Sequence, residues 1–399
     1  YRQKDCSKNY SYLCPITYII FWHIIGLSLG LTYCFLQFLY LRSWSRLAPR
    51  QILDATVAKT NISILIPARN EAANIAACLQ SIARQNYPVD LFEIILIDDH
   101  SEDDTAAIAK ALAMPNLRIL DLKNFVKDET VTAYKKKAIE IAIAQAKGEL
   151  IVCTDADCRV GEDWLLAIAS CYEQTQAKFI AGPVLFDGEQ DLFQQFQSLD
   201  FAGMMAITAA GIQGKYLYMC NGANLAYPKA VFEEVKGFEG VDGLASGDDM
   251  LLLQKIADRY PDGIQYLKTN AAVVLTAPMQ TLSSFIQQRR RWASKSGSYK
   301  GWGTQLQLGL VWLFSLSMLL TLCLTPFLGC SMLLLWLIQF ALKAIADYLL
   351  LNSACRFFKR IDLMKVFWPS LFLHWGYIIW VGSLGLLPTK YKWKGRSVK

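Results

Sequence analysis

The residues best placed to do chemistry are carboxylates that follow apolar runs. Asp155 and Asp157 stand two apart, directly after LIVCT (150–154). In an extended or turning segment, residues two apart point the same way. The pair can therefore share one hard divalent cation whose other ligands are diphosphate oxygens and water. Such a cation stabilises the charge that builds on a leaving diphosphate. An isolated D-x-D is more simply a solvated acidic turn. Its place at the end of a very apolar strand, on an edge shared with other polar strand ends, favours the metal. Those other ends are Pro67 to Glu71 and Asp98 to Ser101, which can hydrogen-bond a base and a ribose. Helix capping accounts for Asn70 and for Ser101 to Asp103, but one cap does not need the two adjacent aspartates Asp98 and Asp99.

Asp248 and Asp249 open the helical pattern DDMLLLQKIADR, where acidic groups complement the helix dipole. The stretch QQRRRW (287–292) suits a membrane-surface anchor that binds anionic headgroups. Lys343 and Asp347 lie one turn apart in an apolar stretch, where self-neutralisation plus helix packing explains a pair that is costly in lipid.

Elements that could hold these groups alternate from Asn61 onward, as in a parallel sheet wrapped by helices. The expected strands are 62–66, 93–97, 117–122, 150–154 and 178–184. Helical patterns start at Glu71 and Asp103, and a third runs from Thr132 to a C-cap at Gly148. Ligands of such sheets bind beyond the carboxyl ends of the strands. No GxGxxG or P-loop is present, which argues against a Rossmann dinucleotide site and a P-loop ATPase.

The chain has 399 residues, 54% of them hydrophobic, yet 19% are charged, so the apolar residues must be concentrated. Residues 15–41 form a run without acidic or basic side chains, long enough to cross a hydrocarbon core of roughly 30 Å. It is longer than the apolar region of a signal peptide, about 7–15 residues, and reads as an uncleaved anchor. Further apolar stretches fall at 306–327, 329–351 and 365–387. The expected organisation is an anchor segment (1–50), a globular region ending in an amphipathic interface stretch (51–300), and a membrane region with a basic tail (301–399). Eleven cysteines without a CxxC pair, and three histidines, indicate neither a zinc site nor a disulfide framework. The net charge of +6 gathers near the apolar runs, at Arg42, Arg46 and Arg50, at 289–291, and at Arg356, Lys359 and Arg360. These clusters put region 51–300 in the cytoplasm of a cell (inner) membrane protein. Four full crossings would strand the basic tail (Lys390, Lys392, Lys394, Arg396, Lys399) outside. Either 365–387, broken by Pro369 and Gly376, is re-entrant or the rule fails.

ILIPARNEAANI, IILIDDHSEDDT, KKKAIEIAIAQAKGELIVCTDADC, CNGANLAYPKAVFEEVKGF, SGDDMLLL and QQRRRW occur in that order. Together they resemble the inverting family-2 glycosyltransferases over about residues 61–295. The closer likeness is to the membrane branch that includes cellulose, chitin, hyaluronan and poly-N-acetylglucosamine synthases and ceramide glucosyltransferases. The resemblance implies an α/β GT-A (Rossmann-like nucleotide-diphosphosugar transferase) fold flanked by transmembrane helices, a UDP-sugar donor, and Mg2+ or Mn2+ at the D-x-D. It implies donor contacts from Pro67, Glu71, Asp98, Asp99, Asp155 and one of Lys135 to Lys137, and metal ligation by Asp155 and Asp157. Tyr134 stands where the family's G-K pattern has glycine. It implies that Asp249, supported by Asp248, is the general base. Asn221 and Gly222 fall in the family's acceptor segment, and Gln288, Arg291 and Trp292 match Q-x-x-R-W, with the arginine on diphosphate and the indole over the acceptor.

The expected reaction is metal-assisted direct displacement, moving a hexosyl group to a membrane-associated lipid or growing glycan. A processive β-polysaccharide synthase and a non-catalytic membrane scaffold are the alternatives. The expected partners are the UDP-sugar, the acceptor and the bilayer; no nucleic acid is expected, and a homo-oligomer or a partner subunit is compatible with all of this.

Overall fold

A computed structural model describes residues 7–126, 133–241, 247–293, 302–385, 391–393 and 396–398. The tail residues Lys390, Lys394 and Lys399, and the last two residues of the expected 365–387 stretch, lie outside these. The chain opens with helix α1 (Ser7–Arg46). Then β1 (Ile62–Ala68), α2 (Ile75–Ala83), β2 (Phe92–Asp98), α3 (Thr105–Ala111), β3 (Leu117–Asp121), α4 (Tyr134–Gln145) and β4 (Leu150–Cys153) alternate as expected. The strands form because their apolar runs are buried on both faces, as a sheet covered by helices requires. Ile64 to Ile66 and Ile94 to Ile97 are fully enclosed. Each contributes about 1.5–3 kcal/mol of transfer free energy.

After β4 come β5 (Arg159–Val160), α5 (Trp164–Thr175), β6 (Phe179–Ala181), β7 (Val184–Phe186), α6 (Leu192–Gly214), β8 (Leu225–Pro228), α7 (Lys229–Glu234), α8 (Asp248–Arg259), β9 (Ile264–Tyr266), β10 (Val274–Thr276) and α9 (Leu282–Ala293). The seven-stranded sheet runs β3-β2-β1-β4-β8-β6-β9, with β8 antiparallel to both of its neighbours. A smaller sheet runs β5-β10-β7. The expected strand 178–184 is therefore two strands in two sheets, turned at Gly182, where a Cβ would meet the Asn224 side chain at 2.3 Å. The Thr132–Gly148 helix also ends early. Ala146 is its extended C-cap, and Gly148 instead lets the chain pass β1, where a Cβ would lie 2.5 Å from the Ile62 and Ser63 backbone.

Register aligns the sheet's working edge. Ala68 pairs with Asp98, and Leu65 with Cys153. Asp98 and Asp155 thus emerge from the same carboxyl edge, with β1 between them.

Helices α10 (Trp302–Leu328) and α11 (Cys330–Phe357), with α1, are three helices long and apolar enough to cross a membrane. They join the globular region through polar latches. Buried Lys268 donates to the Trp44 and Leu47 carbonyls at 2.7 and 3.0 Å and sits 3.9 Å above the Trp44 ring. Arg50 donates to Gln265 at 2.6 Å, and Arg360 pairs with Glu189 at 3.0 Å. Helix α6 packs against α1 and α11.

The last apolar stretch forms α12 (Phe367–Gly385), which among the described residues does not qualify as a spanning helix. Its start packs on Ala344, with Phe367 5.3 Å from the Tyr348 ring. Near its end, Ser383 accepts from the Trp312 indole at 3.3 Å. Trp312 and Ala344 both lie on the globular side of the Ser317–Gln339 contact between α10 and α11. Both ends of α12 therefore sit at a similar depth, so of the two readings left open for 365–387 this geometry favours a helix lying across the bundle. A strand β11 (Tyr391–Trp393) then packs against α9 and pairs with β12 (Arg396–Val398).

Candidate active site

Lys135, in the first turn of α4, organises the centre of the sheet edge. Its ammonium lies 2.9 Å from Asp155 Oδ1 and 3.5 Å from Asp248 Oδ2. Burial pulls its pKa down, but the Asp155 and Asp248 carboxylates outweigh that and hold it well above the ordinary lysine value. Asp249 Oδ2 accepts the Gly222 N–H at 2.9 Å and Oδ1 accepts the Met250 N–H at 2.8 Å, bonds that suit a carboxylate anion. A Cβ on Gly222 would lie 3.3 Å from Lys135 Nζ and 3.6 Å from Asp249 Oδ2, so the loop runs close to both groups. Pro67, Lys135, Cys153, Gly222, Asp248 and Asp249 line one cavity. Its Cys153 thiol is pushed up to about 12 by burial, which keeps it protonated and inert.

Beside this cavity, the loops after β1 and β2 are tied together. Arg69, which the sequence reading passed over, is buried and donates to the Asp99 and His100 carbonyls at 2.9 and 2.8 Å. Asp98 Oδ1 accepts the Ser101 N–H at 3.1 Å, and Asp99 lies 3.0 Å from the His100 ring nitrogen. Glu71 accepts from Asn74 at 2.9 Å, a turn ahead of α2. Asn221 Oδ1 accepts the Ala223 N–H at 3.0 Å.

The α9 residues are placed differently. Arg289, in the stretch read as a headgroup-binding surface anchor, is 1% exposed and pairs with Asp200 at 3.1 Å. Trp292 stacks on Phe201 of α6 and on the Arg289 guanidinium, 4.4 Å from its ring. Phe285, Arg289 and Trp292 recur at i, i+4 and i+7, which is the buried stripe of this helix. Gln288, whose Oε1 is buried without a partner, and half-buried Arg291 lie beside that stripe. None of these groups lines the Lys135 cavity.

The profile of glycosyl transferase family group 2 matches residues 150–351, half of the chain, and that of glycosyl transferase family 2 matches residues 63–236. The chain belongs to the family-2 glycosyltransferases. Glycosyltransferase AglE of Haloferax volcanii is 32% identical over 31% of this chain and 40% of its own length. Beta-monoglucosyldiacylglycerol synthase of Trichormus variabilis is 31% identical over 28% of this chain and 24% of its own. The chain thus matches less than half the length of either relative. In fold it resembles the mannosyltransferase PcManGT of Pyrobaculum calidifontis, solved with GDP-Man and Mn2+, with a TM-score of 0.59 at 17% identity over 88% of this chain and 99% of that one. The GT-A architecture expected from the motifs is the one present.

In this family-2 glycosyltransferase, no cluster of three or more His, Cys, Asp or Glu side chains that could hold a metal occurs among the described residues. Asp155 is half-exposed and Asp157 exposed, two hard oxygen donors open to solvent at the strand ends. That donor set fits a divalent cation that completes its shell from substrate oxygens and water. Lys135 engages one oxygen of Asp155 and leaves the carboxylate further acceptor capacity.

Proposed function

We propose that the chain transfers a hexosyl group, with inversion, from a UDP-sugar to a hydroxyl of a membrane-associated acceptor. The observation that carries this reading is the convergence of Asp249, Asp248 and Lys135 on one cavity at the sheet's carboxyl edge, with Asp155 paired to the same lysine. Asp155 and Asp157 would hold Mg2+ or Mn2+, which supplies charge stabilisation at the leaving diphosphate. Lys135 fixes the Asp155 carboxylate and adds permanent positive charge near the donor. Asp249 takes the proton of the acceptor hydroxyl as that oxygen forms its bond to the anomeric carbon and the C–O bond to the diphosphate breaks. Asp248, tied to Lys135, positions the start of α8. The Pro67–Glu71 and Asp98–Asp99 loops, clamped by Arg69, serve the nucleoside.

A lipid acceptor is supported by the three apolar helices and by the relative named for glucosyldiacylglycerol synthesis. We place region 51–300 in the cytoplasm, flanked by Arg42, Arg46 and Arg50. The test incubates the purified enzyme in lipid with labelled UDP-glucose, UDP-N-acetylglucosamine and UDP-galactose. Label in organic-extractable lipid is the expected result, and it should disappear with excess chelator. Label in polymer points to a processive synthase, and no donor binding at all points to a scaffold.

A further inference from the structure

The run Lys135, Lys136, Lys137 at the start of α4 is divided three ways by the fold. Lys135 sits among the carboxylates of the sheet edge. Lys137 is half exposed and pairs with Glu140 at 3.5 Å. Lys136, between them, is 2% exposed. Burying an ammonium is costly unless it is hydrogen-bonded, so the group it holds is informative. Its Nζ donates to the Val241 carbonyl at 2.5 Å and lies 6.0 Å from the centre of the Phe238 ring.

Phe238 and Val241 belong to a loop, 236–241, that turns on three left-handed residues. Lys236, Gly237 and Gly240 have φ of 58°, 43° and 80°. Lys255 of α8 donates to three carbonyls of the same loop, those of Lys236, Gly237 and Glu239, at 3.4, 2.6 and 3.1 Å. One lysine thus ties the loop to α4 and another ties it to α8. Its buried Phe238 walls the Lys135 cavity together with Ile139 of α4 and Leu252 of α8.

We propose that Lys136 is a positioning residue for the transfer reaction, a role that rests on the reading of Asp249 as base and of Lys135 and Asp155 as donor groups. Through the 236–241 loop it sets the acid pair of α8 and the wall beside it against the donor side, which α4 and the strand ends hold. Direct displacement needs the acceptor oxygen in line with the bond that breaks, and a misplacement of about 1 Å can cost about 10²-fold in rate. The donor groups Pro67, Glu71, Asp98, Asp99, Lys135 and Asp155 all lie outside the loop. Loosening the loop should therefore lower turnover and spare donor affinity.

The experiment assays transfer by the full chain in lipid and measures binding of UDP with Mg2+ separately, by calorimetry. Lys136→Met keeps an unbranched side chain and the helical preference of α4. Its kcat should fall about tenfold to a hundredfold while UDP binds within about twofold of the wild type. Lys255→Met should show the same split, and it decides if Lys136→Met fails to fold. Weakened UDP binding in Lys136→Met would put this lysine on the diphosphate and overturn the proposal, and so would an unchanged kcat. A wild type that transfers from none of the three UDP-sugars would instead overturn the functional reading, and the positioning role with it.

Discussion

At the residue scale, the acid pair at the start of α8 divides its work. Asp248 is spent on Lys135, whereas both oxygens of Asp249 are held by backbone N–H groups. Asp249→Asn should lower kcat by about 10²–10⁴ while UDP-sugar still binds, because removing a base affects the transition state more than the ground state. A dead Asp248→Asn beside an active Asp249→Asn would reverse the roles. Lys268 gives a pH signature. Burial lowers its pKa to about 8, against about 10.4 in the unfolded chain. The buried charge costs stability fully below pH 8, and the cost is relieved as pH rises from about 8 to about 10, where the unfolded chain binds more protons. Melting temperature should therefore gain across that window in the wild type relative to Lys268→Met, and parallel profiles would refute this assignment. The acidic strand ends were legible in the sequence because their chemistry is local. Arg69 and Lys268 were not, because their partners are backbone carbonyls on other segments, which leave no mark on residue type.

At the element scale, α9 shows what motif spacing misses. Q-x-x-R-W draws attention to Gln288, Arg291 and Trp292, but of these only Trp292 shares the packing face with Phe285 and Arg289. Arg289→Leu should destabilise the protein by about 3–5 kcal/mol, since it strands the Asp200 carboxylate, and Asp200→Leu in the same chain should recover most of the loss. Urea unfolding in detergent reads both, and a double variant no better than the single would remove the pair from the account. The long apolar strands of the large sheet were readable because continuous burial writes itself as continuous Ile, Leu and Val. The small sheet was not readable, since strands as short as Arg159–Val160 carry no period. Whether 365–387 crosses was left open by the sequence because hydropathy records composition and not depth.

At the scale of the whole molecule, the lie of α12 and the packing of β11 on α9 put residues 391–393 on the same side as the sheet. With α1, α10 and α11 as the candidate crossings and the sheet on the cytoplasmic side, as proposed, Lys392 and Arg396 would accord with the positive-inside tendency. A fluorescent reporter fused at the C-terminus should report the cytoplasm, and protease added to intact cells should spare both it and region 51–300. Cleavage from outside would overturn the topology. The latches at Lys268, Arg50 and Arg360 tie the globular region to the helix bundle, so with α1, α10 and α11 in a bilayer the sheet edge would stand at one height over it. For an acceptor dissolved in that bilayer, encounter becomes a search in two dimensions, governed by molecules per unit of membrane area. Diluting acceptor with inert lipid in vesicles should slow the enzyme in proportion, while diluting the vesicles themselves in buffer should leave the turnover of each enzyme unchanged.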